Sequence, residues 1–297
     1  MQDMALTPAV LIHNASAGTS HRAGLTQLGA ALRDAGFDAE YRPTRTPADL
    51  LPALHGPLPG PVFIAGGDGT FRAAALHLAG RGATVGVIPL GTSNNIARTL
   101  GLTGDPLDIA RAYRHAAPHP FDAGRVQAPW GEDVFFEAFG CGVFADVLHA
   151  YDPDAPKSPL RAAQALLSTL PGFQAQPVPT HVDGQDSPAP PLALLEIMNI
   201  QSTGNSLRLA PDAHPGDGQL NLIRVNGEQR DSLLAYAAAL LRGQFDTLPS
   251  VQEDVAATFT LHATGQVFHV DGETRTDPGG PVHVQVWAGA LHVLRPT

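Results

Sequence analysis

Residues 66–70 read Gly-Gly-Asp-Gly-Thr, where the apolar run Pro61–Ala65 gives way to a predicted helix. A carboxylate among three glycines, between a strand and a helix N-terminus, suits one kind of chemistry. Glycines let the backbone approach a phosphate closely and adopt positive φ. The helix beyond aims its N-terminal amides into the same space and favours an anion there. Asp68 is then a poor neighbour for phosphate unless a magnesium ion, directly or through its waters, mediates. Asp68 can also hydrogen-bond loop amides and hold the loop in shape. Taken alone, the pentapeptide also fits an ordinary Gly-Asp-Gly turn. It matches neither the dinucleotide fingerprint nor the lysine-containing phosphate loop.

Two further stretches carry the same chemistry. The apolar run Pro8–His13 ends in Asn14-Ala15-Ser16-Ala17-Gly18, and Thr84–Ile88 ends in Pro89-Leu90-Gly91-Thr92-Ser93-Asn94-Asn95. Three loops of small hydroxyl and amide residues at one sheet edge suit a nucleotide and its phosphates. The elements that must position them alternate along the first 120 residues. Predicted strands are Pro8–His13, Phe37–Arg42, Pro61–Ala65 and Thr84–Ile88. Predicted helices are Arg22–Ala35, one opened by Thr46-Pro47 and running to His55, Thr70–Ala79, Ser93–Leu100 and Pro106–His115. This alternation implies a parallel sheet covered on both faces, with ligands beyond the strands' carboxyl ends.

Past Asp122 the pattern changes to short strands separated by turn dipeptides such as Asp183-Gly184 and Asp271-Gly272. Predicted strands are Val126–Ala128, Val134–Phe139, Leu192–Ile200, Gln219–Val225, Ala257–His262, Val267–Asp271, Val282–Trp287 and Leu291–Leu294. Helices are predicted near 158–170 and 228–242, and the Pro-rich segment 171–191 reads as loops around one weak strand. The second part is therefore expected to be a mainly antiparallel β-sandwich.

Composition excludes several classes. The chain has 297 residues, 43% hydrophobic, with a net charge of −10 and no basic stripe, which argues against a nucleic-acid partner. Cys141 is the only cysteine, so neither an internal disulfide nor a thiolate metal site forms. No apolar stretch reaches about 18 residues and no leader pattern opens the chain, so a soluble cytoplasmic protein is expected. Lys157 is the only lysine, which leaves phosphate to backbone amides, arginines (Arg22, Arg72 and Arg98 lie near the loops) or a metal. His115 and His119 stand four apart, but Pro118 breaks the helix that would align them. No G-x-S-x-G elbow occurs.

Together, Gly-Gly-Asp-Gly-Thr and the block Gly-Val-Ile-Pro-Leu-Gly-Thr-Ser-Asn-Asn-Ile-Ala-Arg-Thr-Leu-Gly-Leu, about 20 residues later, resemble the diacylglycerol kinase catalytic-domain family. This family includes bacterial soluble lipid kinases and sphingosine and ceramide kinases. The resemblance continues through Asp122-Ala-Gly, residues 136–145, residues 207–220 and Val270-Asp-Gly-Glu-Thr. It implies an ATP- and magnesium-dependent kinase that phosphorylates a hydroxyl of a diacylglycerol-like lipid. The implied N-terminal α/β domain is NAD kinase/phosphofructokinase-like, residues 1–122 joined by 291–297 through a returning last strand. A β-rich lipid-substrate domain is implied at 123–290, with the site in the cleft between the two.

Carried over position by position, Gly66, Gly67, Asp68, Gly69 and Thr70 resemble the nucleotide loop, with Asp68 its key acid. Asn14, Ser16 and Gly18 resemble the first nucleotide turn, and Thr92 and Asn94 line the same pocket. Thr44 or Thr46 reaches phosphate. Asp122 resembles an acid of the magnesium and water network, Asp217 a structural magnesium loop, and Glu273 the general base. Asn95 stands where the family usually has an Asp, which weakens its pull on magnesium. Read without the resemblance, Glu273 merely follows a hairpin turn, as Gln185 follows Asp183-Gly184. The apolar side of 158–170 is either core, an acyl channel or a shallow membrane contact. Lipid is the expected partner, reached by transient membrane contact; the oligomeric state stays open, a homodimer among the options. An NAD kinase-like enzyme and a silent lipid-binding regulator are the competing readings.

Overall fold

In the computed structural model, the described residues are 5–14, 24–44, 46–150, 173–204, 206–228, 239, 242–276 and 279–296. The predicted helices near 158–170 and 228–242, with Ser16, Gly18, Arg22 and Lys157, lie wholly or almost wholly outside them. The chain divides into two compact units, Met1–Phe121 with Gly289–Thr297, and Asp122–Ala288.

The first unit alternates β1 (Thr7–Asn14), α1 (Leu25–Asp34), β2 (Phe37–Thr44), α2 (Leu50–His55), β3 (Val62–Gly66), α3 (Asp68–Leu78), β4 (Thr84–Pro89), α4 (Asn95–Thr99) and α5 (Pro106–Ala112). The strands lie in the order β4-β3-β1-β2, every pair parallel. Val10–Ile12 and Val62–Ala65 are buried without alternation, as a sheet covered on both faces requires. Parallel strands place the C-terminal ends of β1, β3 and β4 at one edge.

The second unit adds β5 (Ala116–Ala128), which begins in the first, β6 (Gly131–Phe135), β7 (Ala138–Gly142), α6 (Val143–Ala150), β8 (Gln176–Pro177), β9 (Thr180–Val182) and β10 (Gln185–Ser187). Then come β11 (Pro191–Met198), β12 (Ser202–Thr203), β13 (Leu207–Arg208), β14 (Leu220–Asn226), β15 (Val251–Ala256), β16 (Thr258–Ala263), β17 (Val267–Val270), β18 (Glu273–Thr276) and β19 (Gly280–Pro296). One antiparallel sheet runs β15-β14-β11-β7-β17-β18, and a second antiparallel run is β10-β9-β16-β19. Between them pack Phe139, Leu195, Ile197, Phe259, Leu261, Phe268 and Val284. On β11 the alternate residues Leu194 and Met198 join a second cluster with Ile223 and Phe245, which is why this strand reads as an unbroken apolar run. β19 serves both units: residues 280–285 pair with β16, and His292 and Val293 pair with β4.

Several boundaries differ from the sequence expectation. The helix after β3 starts at Asp68, not Thr70. The expected strand Val134–Phe139 is broken at Phe136 and Glu137 into β6 and β7. The expected strands Val282–Trp287 and Leu291–Leu294 are one 17-residue strand. The segment 171–191 contributes β8, β9 and β10, and α6, β15 and β18 lie where the sequence pattern marks no element.

Candidate active site

In the first unit, the loop after β3 is built by packing on its two neighbours. A Cβ on Gly66 would lie 2.6 Å from Cβ of Thr70. One on Gly91 would lie 2.6 Å from Cα of Gly67 and 2.7 Å from Oδ1 of Asn94. The loops after β3 and β4 thus touch backbone to backbone, and Leu90 N–H donates to the Gly66 carbonyl at 2.9 Å. From the β1 side, Asn14 Nδ2 donates to Thr70 Oγ1 at 2.9 Å. Asn14, Gly66, Thr70 and Gly91 therefore share one cluster. The expected positive φ is absent: Gly66, Gly67, Gly69 and Gly91 all lie outside the left-handed region, and Asn94 (φ 50°) enters it instead. Close approach, not unusual φ, is what Gly66, Gly67 and Gly91 supply.

Asp68 occupies the first turn of α3. There its charge faces the positive end of the helix. Its Oδ1 accepts from Ile96 N–H at 3.1 Å, tying α3 to the start of α4. Burial pushes its carboxyl above the ordinary range, although the backbone amides of Ile96, Asn95, Asp68 and Asn94 pull the other way.

The other expected residues separate by exposure. Thr92 on its loop and Gly69 in the first turn of α3 are exposed, and no neighbour lies within 4 Å of a Cβ built on Gly69. Both side-chain ends of Asn94 are spent on the Gly91 backbone, at 2.8 and 2.9 Å, so Asn94 shapes its own loop. Asn95 is 1% exposed, and its backbone amide serves Asp68. Thr44 is buried, its hydroxyl donating to the His13 carbonyl at 3.4 Å, whereas Thr46 is exposed.

The second unit carries Glu273 on β18, directly after the Asp271-Gly272 turn (φ 48° and 84°). Its carboxylate is half-exposed and 3.2 Å from Arg275 Nη2. Asp183-Gly184 makes the same left-handed pair (φ 47° and 79°). Both aspartates fasten their turn to neighbouring backbone: Asp183 accepts from the amides of Ala257 and Thr258, Asp271 from those of Phe136, Glu137 and Ala138. The two hairpins differ at the next position, Gln185 in one and Glu273 in the other. Asp122 is 1% exposed; its Oδ2 accepts from Gly218 N–H at 2.8 Å, and its carbonyl accepts from Asn199 Nδ2. Asn199 Nδ2 also donates to the Phe136 carbonyl, joining Asp122 to the segment that Asp271 caps. Sequence reasoning missed Asp271 and Asn199 as builders of this region. The Asp-Gly turn signal was available for the first; no local signal marks the second.

Among the described residues no group of three His, Cys, Asp or Glu is placed to hold a metal. Asp217, expected in a structural magnesium loop, accepts at Oδ1 from the Gln219 amide of its own turn. Asp68 beside helix-terminal amides fits an ion that arrives with phosphate oxygens and keeps its waters.

Residues 8–126 match the family described as diacylglycerol kinase catalytic domain. Residues 140–295 match the YegS C-terminal NAD kinase beta sandwich-like domain. A diacylglycerol kinase of Mycobacterium tuberculosis is 28% identical over 238 residues, covering 79% of this chain and 76% of that protein. A Pseudomonas putida protein named probable lipid kinase YegS-like is 31% identical over 210 residues, 67% of this chain and 68% of its own. A solved structure titled as a diacylglycerol kinase from Bacillus anthracis str. Sterne aligns with a TM-score of 0.69 at 18% identity, over 97% of this chain and 96% of that one, a likeness of fold.

Proposed function

The chain belongs to the diacylglycerol kinase catalytic-domain family, and from that premise we propose that it transfers the γ-phosphoryl group of ATP to a hydroxyl of a diacylglycerol-like lipid. The observation that carries this reading is the cluster of Asn14, at the end of β1, with the loops after β3 and β4 around the α3 N-terminus, Asp68 in its first turn.

Phosphoryl transfer asks a protein mainly for positioning and charge neutralisation. In this reading Gly67, Gly69, Thr70 and Thr92 receive the nucleotide phosphates through backbone amides and hydroxyls. Asn14 and Asn94 hold the loops that do so, and Thr46, exposed where Thr44 is not, is the threonine that reaches phosphate. Magnesium, when bound, supplies charge neutralisation on the phosphate oxygens; Asp68 is the carboxylate that would hold it or its waters. Asn95 and Asp122 act through the backbone and side-chain bonds they make, not as exposed metal ligands. Glu273 takes the proton of the lipid hydroxyl as that oxygen bonds to phosphorus and the bond to the ADP oxygen breaks. The acceptor is drawn from a membrane surface by transient contact.

The test is incubation of pure protein with ATP, magnesium and a total lipid extract, with mass spectrometry of the lipids. A lipid gaining one phosphate supports the reading and names the acceptor. Phosphorylation of NAD and of no lipid would replace it.

A further inference from the structure

β18 reads Glu273-Thr274-Arg275-Thr276, so Glu273 and Arg275 fall on one face of an edge strand. They stand opposite Val270 and Phe268 of β17, on the side of the sheet where the sandwich core packs. Arg275 is bound at every guanidinium nitrogen. Nε donates to Asp133 Oδ2 at 3.0 Å and Nη2 to Asp133 Oδ1 at 2.8 Å, a two-pronged fork. Nη1 donates to the Thr274 carbonyl at 3.0 Å, and Nη2 also reaches Glu273 Oε2 at 3.2 Å. Asp133 is fixed in turn by Trp130 Nε1 at 3.0 Å, and the Trp130 ring packs on Phe268, centroids 5.3 Å apart. Exposure falls along this chain, from 54% at Glu273 to 26% at Arg275 and 14% at Asp133.

An exposed edge-strand ion pair contributes little and serves mainly to keep the edge soluble. This arrangement differs in being anchored. Its inner end is shielded and bidentate, and its outer end stops one carboxylate oxygen of Glu273 while leaving the group open to solvent. A base oriented by a second group that is itself oriented by a third is the arrangement by which side chains are held for proton transfer. We propose that Arg275, braced by Asp133 and Trp130, is a positioning residue that fixes the carboxylate of Glu273 for the acceptor hydroxyl. The proposal rests on the reading of Glu273 as base. Arg275 touches neither the lipid nor the nucleotide in this role; it acts through Glu273.

The experiment measures lipid phosphorylation by wild type, Arg275→Gln, Arg275→Lys, Asp133→Asn, Glu273→Gln and the double variant Arg275→Gln/Glu273→Gln, with kcat and lipid KM separated and Tm recorded for each. Arg275→Gln should lower kcat about 10- to 100-fold with lipid KM nearly unchanged, because misplacing a reacting group costs rate more than binding. Arg275→Lys keeps the charge but loses the fork, and should fall between. Asp133→Asn should resemble Arg275→Gln. Glu273→Gln should lose about 10²–10⁴-fold, and adding Arg275→Gln to it should cost nothing further. If Glu273→Gln is slow but Arg275→Gln is fully active, this inference alone fails. It also fails if Arg275→Gln multiplies the loss by the same factor in both backgrounds, since the effect is then general and not through Glu273. Full turnover by Glu273→Gln, or no lipid phosphorylation by wild type, overturns the base reading and this inference together.

Discussion

Oδ1 of Asp68 accepts a hydrogen bond from the backbone N–H of Ile96, 28 residues further along the chain, at 3.1 Å. One carboxylate in the first turn of α3 thus anchors α4 and stays partly buried at the loop cluster, at a cost that burial imposes on its charge. The sign of that cost is testable. The folded carboxyl lies above its ordinary value of 3.8. The stability it contributes is therefore present below that value and lost as pH rises through the raised value. Asp68→Asn cannot ionise. Urea unfolding of both proteins across that window should show the variant gaining stability relative to wild type as pH rises, then levelling. Parallel curves would contradict the account. Turnover of the variant should fall at least about 100-fold, the scale of removing one preorganised electrostatic group.

The contact of Gly67 with Gly91 separates two glycines that the sequence makes look alike. Gly91→Ala places a methyl 2.6 Å from backbone and should cost about 1–3 kcal/mol, read by denaturant melts. Gly69→Ala meets nothing within 4 Å and lies inside α3, so its Tm should hold or rise, by helix propensity worth about 0.5–1 kcal/mol.

Asp271 caps three consecutive amides where β6 breaks from β7. Asp271→Ala strands them and should destabilise by about 2–3 kcal/mol, visible as a lowered Tm. Asp183→Ala removes a comparable but exposed cap and should cost less.

Tyr113 is 1% exposed, and its hydroxyl both donates to the Val87 carbonyl at 2.6 Å and accepts from the Val87 N–H at 2.8 Å. The register of β4 with β19 ends at Val85, so the hydroxyl replaces a missing strand neighbour. Tyr113→Phe should cost about 2–4 kcal/mol by leaving both groups unpaired in the core. An unchanged unfolding midpoint would contradict this.

Much of the architecture was legible because burial leaves a period. The runs Val10–Ile12 and Val62–Ala65 have no polar face, which only a doubly covered sheet tolerates, and Val282-His283-Val284-Gln285 alternates as half-buried strands do. What escaped was set by distant partners. Asp68 reads as loop because glycines flank it, yet the backbone turns helical there, with Thr70 and Phe71 N–H donating to the Gly67 carbonyl, and its carboxylate is fixed by Ile96. Residues 134–139 read as one strand because only Glu137 interrupts their apolar run, and the break is held by Asp271, 133–135 positions away. Residues 273–276 carry no apolar alternation, since an edge strand paired by Arg275 and Asp133 needs none. Of the site, the loop residues stood out by type. That Thr44 is buried and Thr46 exposed depends on how β2 ends, which spacing alone does not reveal.

The central claim is phosphoryl transfer from ATP to a lipid alcohol through the Asp68 loop cluster. The most direct measurement is the fate of label from γ-labelled ATP, with magnesium and diacylglycerol vesicles, extracted into organic solvent. The account predicts label on lipid for wild type and at least about 100-fold less for Asp68→Asn. Label that never enters lipid, or enters equally with Asp68→Asn, would contradict it.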